Sequence, residues 1–273
     1  MRISEARDML LKLGVRAQKS LGQHFLLDEM IVRRQVGYAN IKEGERVLEI
    51  GPGLGFLTSQ LIRGGANVIA IEADRKFYEY LSEKYGDRIE LIHADATAMD
   101  LPQFDKVVSN IPYNISSELT FKILEGKFEL AVIMYQKEFA ERLVAGEASA
   151  IYGRLSVMAS YRADCELMEI VSRRAFWPEP KIDSAIVRMK SRAPKFKPKD
   201  ERLFVETVKV LFSHRRKMIA NALTAGAPNL GMSRERMRRL SEEIPFGKER
   251  VEMLTPEEIG EIADFLYNVR AHE

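Results

Sequence analysis

The chain has 273 residues, 46% hydrophobic and 30% charged, which suits one or two globular domains at roughly 150 residues each. The 42 Lys+Arg nearly balance 40 Asp+Glu, so the whole-chain charge of +2 gives no electrostatic reason for a polyanionic partner. The single cysteine, Cys165, excludes an internal disulfide framework and a Cys-built zinc site, the apolar run Leu130 to Tyr135 is too short to span a bilayer, and the opening MRISEARDML lacks the apolar core of a secretory signal, so a cytoplasmic location is expected.

In chain order, RVLEI (46–50) reads as a buried strand running into glycines, and FLTSQLIRG (56–64) has helical spacing. NVIAIE (67–72) is a second strand, followed by a helix over 75–84. IELIHAD (89–95), DKVVSN (105–110) and LAVIMYQ (130–136) complete five strands. Strands alternating with helices predict βαβ units and a parallel sheet covered on both faces, an α/β Rossmann-like fold with its ligand at the carboxyl ends of the strands. CELMEIV (165–171) and SAIVRMK (184–190) flank FWPEPKID and predict a hairpin appended to that sheet. SRAPKFKPKD reads as a linker, and helices are expected over 201–212, 215–223, 233–240 and 256–269. The last begins with Thr255 as N-cap, Pro256 at the first helical position and Glu258 two residues on. The expected division is therefore 1–190 for the α/β domain and 191–273 for a small helical domain.

Chemistry-bearing residues fall at successive strand ends. Gly51, Gly53 and Gly55 allow a sharp turn and a close backbone approach to a ligand. Their G-x-G-x-G spacing departs from the dinucleotide pattern, whose third glycine would stand where Phe56 is, and fits methyltransferases that use S-adenosylmethionine. Glu72, 21 residues after Gly51, is placed to accept the ribose hydroxyls of an adenosine, and Asp95 to accept from its adenine amine. Asn110-Ile111-Pro112-Tyr113 follows the fourth strand. An exocyclic adenine amine is a poor nucleophile because its lone pair is delocalised into the ring. The Asn110 side-chain oxygen and the Ile111 carbonyl can together accept N6–H bonds and favour a pyramidal nitrogen. Pro112 fixes the backbone and offers no competing N–H, and the Tyr113 ring can stack a base drawn out of its helix.

With these motifs in place the chain resembles the KsgA-type ribosomal RNA adenine dimethyltransferases, including their archaeal and eukaryotic members. The matching segments are LGQHFL (21–26), EIGPGLG (49–55), Glu72, the Asp95 turn, NIPYNISS (110–117), YQKEFAERL (135–143), YGRLSV (152–157), FWPEPKIDSA (176–185) and LFSHRRK (211–217). The resemblance implies a Rossmann-like domain and a small helical domain. It implies transfer of four methyl groups from S-adenosylmethionine to N6 of two adjacent adenosines near the 3′ end of small-subunit ribosomal RNA. It further implies that His24, Leu26, Gly51, Gly53, Glu72, Asp95 and Asn110 contact the cofactor, and that Phe176 sandwiches the target base with Tyr113. Many members carry Asn where His24 stands, which leaves open whether its side chain or its backbone serves. The neutral leaving group calls for no metal.

Arg215, Arg216 and Lys217, at a helix break, are candidates for phosphate contacts. The balanced total charge is a cancellation. Residues 191–240 hold 13 Lys+Arg against 4 Asp+Glu, a net +9, whereas residues 241–273 carry −6 and residues 1–190 carry −1. The expected partner is the small ribosomal subunit or its precursor, bound by a monomer. The competing readings are a large-subunit adenine methyltransferase, a ribosome-assembly factor whose binding role dominates, and a small-molecule methyltransferase.

Overall fold

The computed structural model describes residues 3–14 and 24–271, so Leu21, Gly22 and Gln23 of the N-terminal motif lie outside the described residues. The chain divides into two compact units, residues 1–140 with 164–191, and residues 141–163 with 192–273. The single expected boundary after residue 190 is thus replaced by three crossings.

The first unit holds α1 (Ile3–Lys12), β1 (Phe25–Leu26), α2 (Glu29–Ala39), β2 (Arg46–Ile50), α3 (Phe56–Arg63), β3 (Asn67–Glu72), α4 (Arg75–Tyr85), β4 (Glu90–His93), β5 (Lys106–Asn110), α5 (Ser116–Glu125) and β6 (Leu130–Gln136). The chain passes through α6 (Lys137–Leu143) and α7 (Arg154–Arg162), then returns in β7 (Ala163–Val171), β8 (Phe176–Trp177) and β9 (Ser184–Ser191). Seven strands form one sheet in the order β4-β3-β2-β5-β6-β9-β7. The first five are parallel, and β9 runs antiparallel to β6, from Leu130↔Lys190 to Gln136↔Ser184. Of the appended pair, β9 takes the inner place because its first four residues are buried, whereas β7 carries Asp164, Glu166 and Glu169, charges that suit an unpaired edge. β1 and β8 form a separate antiparallel ribbon, Phe25↔Trp177 and Leu26↔Phe176.

The strand order reverses between β2 and β5, and there the ladder is short. Only Val47↔Lys106 and Leu48↔Val107 are paired. Beyond them the Ser109 hydroxyl substitutes for backbone. It accepts from the Ile50 N–H at 3.2 Å and donates to the Ile50 carbonyl at 2.7 Å. Buried Gln35 of α2 donates to the Ser109 and Val132 carbonyls at 3.2 and 3.4 Å. The two strands thus separate with both main-chain groups of Ile50 still hydrogen-bonded, and a crevice opens at their carboxyl ends.

The second unit contains α7 with α8 (Glu201–Ser213), α9 (Ile219–Gly226), α10 (Arg234–Arg239) and α11 (Pro256–Ala271). The segment 141–163 joins it through its aromatics. Tyr161 packs on Phe196 and Phe204, and the Tyr152 hydroxyl donates to the Leu254 carbonyl at 2.9 Å. The helix expected over 215–223 starts later, at Ile219, because Met218 forms a β-bridge with Arg250 and leaves 214–218 as a loop. Thr255 and Glu258 cap α11 reciprocally, as the sequence predicts. Among the described residues, no helix is long and apolar enough to cross a membrane.

Candidate active site

A cavity of about 480 Å³ occupies the crevice, within the range of small-molecule sites. His24, Leu26, Gly51, Gly53, Glu72, Asp95, Asn110 and Pro112 all line it, so the structure brings together every expected cofactor residue and the proline of the NIPY loop.

The turn after β2 depends on glycine. Gly51 has φ +69, a region that disfavours side chains, and a Cβ there would lie 3.4 Å from the Pro112 ring. The turn therefore packs directly on the loop after β5. From behind, the Tyr85 hydroxyl donates to the Gly55 carbonyl at 2.6 Å and Lys84 Nζ to the Leu54 carbonyl at 3.0 Å, fixing the turn to the end of α4.

Glu72 ends β3, where the strand meets the cavity. Its Oε2 accepts from the Gly53 N–H at 3.0 Å and its Oε1 from the Asp74 N–H at 2.9 Å. The carboxylate is oriented by two backbone donors, yet each oxygen keeps a lone pair for a ligand hydroxyl. Burial pushes its pKa up, and the two donors pull partly against that. Asp95 is exposed and differently held. The Thr97 N–H and hydroxyl both donate to its Oδ1, at 2.9 and 2.8 Å, and hold its carboxyl below the ordinary value. Lys122 of α5 ties this loop down by donating to the carbonyls of Ala96, Thr97 and Met99. No sequence signal marked Lys122, because its partners are backbone carbonyls more than 20 residues away.

Asn110 closes β5. Its side-chain Oδ1 is buried and has no hydrogen-bond partner among the described residues. An orphaned buried acceptor costs about 1–3 kcal/mol, so this oxygen is suited to a donor that arrives with a ligand. Ile111 is buried, and Tyr113 begins a turn of 3-10 helix over Tyr113–Ile115. The Tyr113 hydroxyl is 2.6 Å from Ser184 Oγ, and burial raises its pKa.

Three of the expected catalytic residues, Ile111, Tyr113 and Phe176, do not line the cavity. Phe176 is 5% exposed and belongs to the apolar core with Leu26, Val171 and Ile186, and it does not line the cavity. Its pairing with Leu26 in the short ribbon turns the ring inward. The ring stacked on Tyr113 is that of His24, with centroids 5.8 Å apart. In the second unit, Arg215 is committed internally. Nη1 donates to the Ala150 carbonyl at 2.7 Å, Nη2 to that of Ser149 at 3.1 Å, and Nε lies 3.3 Å from Glu252. Arg216 and Lys217 are exposed.

The strand residue Glu49 is a cavity-lining group that motif reading did not single out, although it opens the matched EIGPGLG segment. It is fully buried, and its Oε2 accepts from Thr58 Oγ1 at 2.7 Å. Burial, reinforced by the charge of Glu72, pushes its pKa up to about 8.

The residues fit an adenosine-bearing ligand: an oriented carboxylate for a ribose, an orphaned acceptor for an amine, and a glycine turn that admits close approach. Comparison with known proteins agrees. The model of a family described as ribosomal RNA adenine dimethylase matches residues 14–264. A probable ribosomal RNA small subunit methyltransferase A of Pyrococcus furiosus is 43% identical over 263 residues, covering 94% of this chain and 94% of that protein. The protein of the same description from Thermococcus gammatolerans is 42% identical, covering 94% and 92%. Among solved structures, a dimethyladenosine transferase from Plasmodium falciparum is similar with TM-score 0.74 and 26% identity, covering 90% of this chain and 98% of that one. The 23S rRNA methyltransferase ErmE is similar with TM-score 0.66 and 29% identity, covering 89% and 99%.

The buried carboxyl of Glu49 has a consequence for stability. A carboxyl whose pKa is raised on folding stabilises below its unfolded value and loses that contribution as pH rises through the folded one. The ligand-free protein should therefore lose stability between pH 4.5 and about 8. In Glu49→Gln this slope should be shallower by up to about 1.4 kcal/mol per pH unit, the remainder reflecting Glu72, which is shifted the same way. Denaturant unfolding at several pH values measures it, and equal slopes in the two proteins would contradict the assignment.

Proposed function

Because the chain belongs to the ribosomal RNA adenine dimethylase family and is a methyltransferase acting on ribosomal RNA, we propose that it converts two adjacent adenosines near the 3′ end of small-subunit ribosomal RNA to N6,N6-dimethyladenosine, acting as a cytoplasmic monomer on the small subunit or its precursor. The observation that carries this reading is the buried Asn110 Oδ1 at the end of β5, which has no partner among the described residues.

S-adenosylmethionine, when bound, supplies an electrophilic methyl group on a sulfonium whose sulfur leaves neutral. This chain's residues bind and orient. Glu72 would accept the ribose hydroxyls, Asp95 would accept from the amine of the cofactor's adenine, and the Gly51–Gly53 turn and the segment of His24 and Leu26 would help hold the ligand. At the target, Asn110 Oδ1 and the Ile111 carbonyl accept the N6–H bonds, so the nitrogen lone pair is freed from the ring and aimed at the methyl carbon. Pro112 keeps this turn rigid, and Tyr113 stacks the extruded base. As the N–C bond forms, the nitrogen becomes a cationic ammonium and releases its proton to water. The rate advantage therefore comes from orientation and preorganised acceptors. Phe176 serves this arrangement from the core, beneath the β1–β8 ribbon.

The small subunit is favoured over the large by the archaeal relatives, whose identity of 41–43% exceeds the 29% shared with ErmE. The basic stretch 191–240 suits a polyanionic particle. Within it we assign phosphate contacts to Arg216 and Lys217, and to Arg215 a structural role holding the 149–150 loop.

Asn110→Ala should bind S-adenosylmethionine normally by calorimetry but lose methyl transfer to unmodified small subunits by about 100- to 1,000-fold. A rate within about threefold of the unaltered protein would remove the proposed role. Binding to the particle should weaken steeply with salt, and Arg216→Ala with Lys217→Ala should reduce the log–log slope by about 1–2. A filter-binding series with the same slope in both proteins would contradict the phosphate assignment.

A further inference from the structure

His24 is where three distant segments meet. Its Nδ1 lies 2.6 Å from the Pro178 carbonyl oxygen, 154 residues further along the chain. A carbonyl only accepts, so Nδ1 carries the proton. The imidazole also lies against the Tyr113 ring, with centroids 5.8 Å apart and planes 26° from parallel. Tyr113 is held at its other end, where its hydroxyl meets Ser184 Oγ at 2.6 Å. Ser184 is itself buried and pairs with Gln136 at the start of β9. The tyrosine ring is thus fixed at its hydroxyl by the sheet and backed by an imidazole that is tethered to the residue following β8.

We infer that the His24 side chain is a positioning residue for the target base: tethered to the Pro178 carbonyl, it backs one face of Tyr113 and leaves the other face to the adenine. This rests on the reading of Tyr113 as the stacking platform. The two contacts also account for the residue type. Asn reproduces the hydrogen bond but offers no ring, and Phe offers the ring without the N–H. Only a ring bearing an N–H does both. The side chain lines the cofactor cavity, yet its ring contact is to Tyr113 and its hydrogen bond is to Pro178, after β8. Its loss should therefore release the Tyr113 ring and slow transfer to the RNA.

The test compares His24→Ala, His24→Asn and His24→Phe in three measurements. These are S-adenosylmethionine affinity by calorimetry, kcat/KM for transfer to unmodified small subunits, and the fluorine resonance of Tyr113 in 3-fluorotyrosine-labelled protein, assigned with Tyr113→Phe. In His24→Ala kcat/KM should fall about tenfold, as loss of an aromatic contact implies, and the Tyr113 resonance should shift, whatever the change in cofactor Kd. His24→Phe should recover part of kcat/KM, and His24→Asn less. A cofactor Kd weakened tenfold or more with an unmoved Tyr113 resonance would make His24 a cofactor ligand and overturn the inference, as would an unmoved resonance with unchanged kinetics. The resonance tests the tether independently of RNA chemistry. A fully active Tyr113→Ala would instead remove the stacking role assigned to Tyr113.

Discussion

The site depends on the substitution of a side chain for a strand. At Ile50 the β2–β5 ladder has already ended, and the Ser109 hydroxyl takes both the Ile50 N–H and the Ile50 carbonyl. A continued ladder would hold the two strands together and close the crevice. An unpaired end would bury two main-chain groups at about 1–3 kcal/mol each. One hydroxyl avoids both outcomes, and Gln35 donates to the Ser109 and Val132 carbonyls of β5 and β6. The glycine turn and the Asn110 turn are then carried on separated strand ends, close enough for Gly51 to pack on Pro112.

Charge is sorted to match. Glu49, Glu72, Asp74 and Asp95 line the cavity, and burial raises the pKa of Glu49 and Glu72, with the charge of Glu72 adding to the first and that of Asp74 to the second. The carboxylates that stay ionised disfavour anions and favour an entering cation. The basic excess lies in the stretch 191–240, with its net +9. The nearly neutral total thus hides a locally acidic cavity lining within residues 1–190, which carry only −1 overall, and a basic excess in 191–240.

Much of this was legible in the sequence because it is local. Strand–helix alternation gave the parallel sheet, and the residues immediately after strands 46–50, 67–72 and 105–110 gave the glycine turn, Glu72 and Asn110. What was not legible depends on distant partners. Residues 141–163 join the helical unit through Tyr152 and Tyr161, whose contacts are far along the chain. Phe176 looked like a base-stacking ring because nothing local shows that its pairing with Leu26 directs it into the core. Arg215 reads like its two basic neighbours, but only the fold brings the Ser149 and Ala150 carbonyls to it. The tether of His24 to Pro178 has the same character, and composition or periodicity carries no trace of it.

Methylation of adenosine N6 in the small ribosomal subunit is the activity proposed for this cavity. Incubation of the protein with methyl-labelled S-adenosylmethionine and undermethylated small subunits, followed by digestion and nucleoside identification, tests it most directly. The account predicts label in N6,N6-dimethyladenosine, confined to two adjacent positions near the 3′ end of the RNA. Label only in large-subunit RNA, or only in a free small molecule, would contradict it.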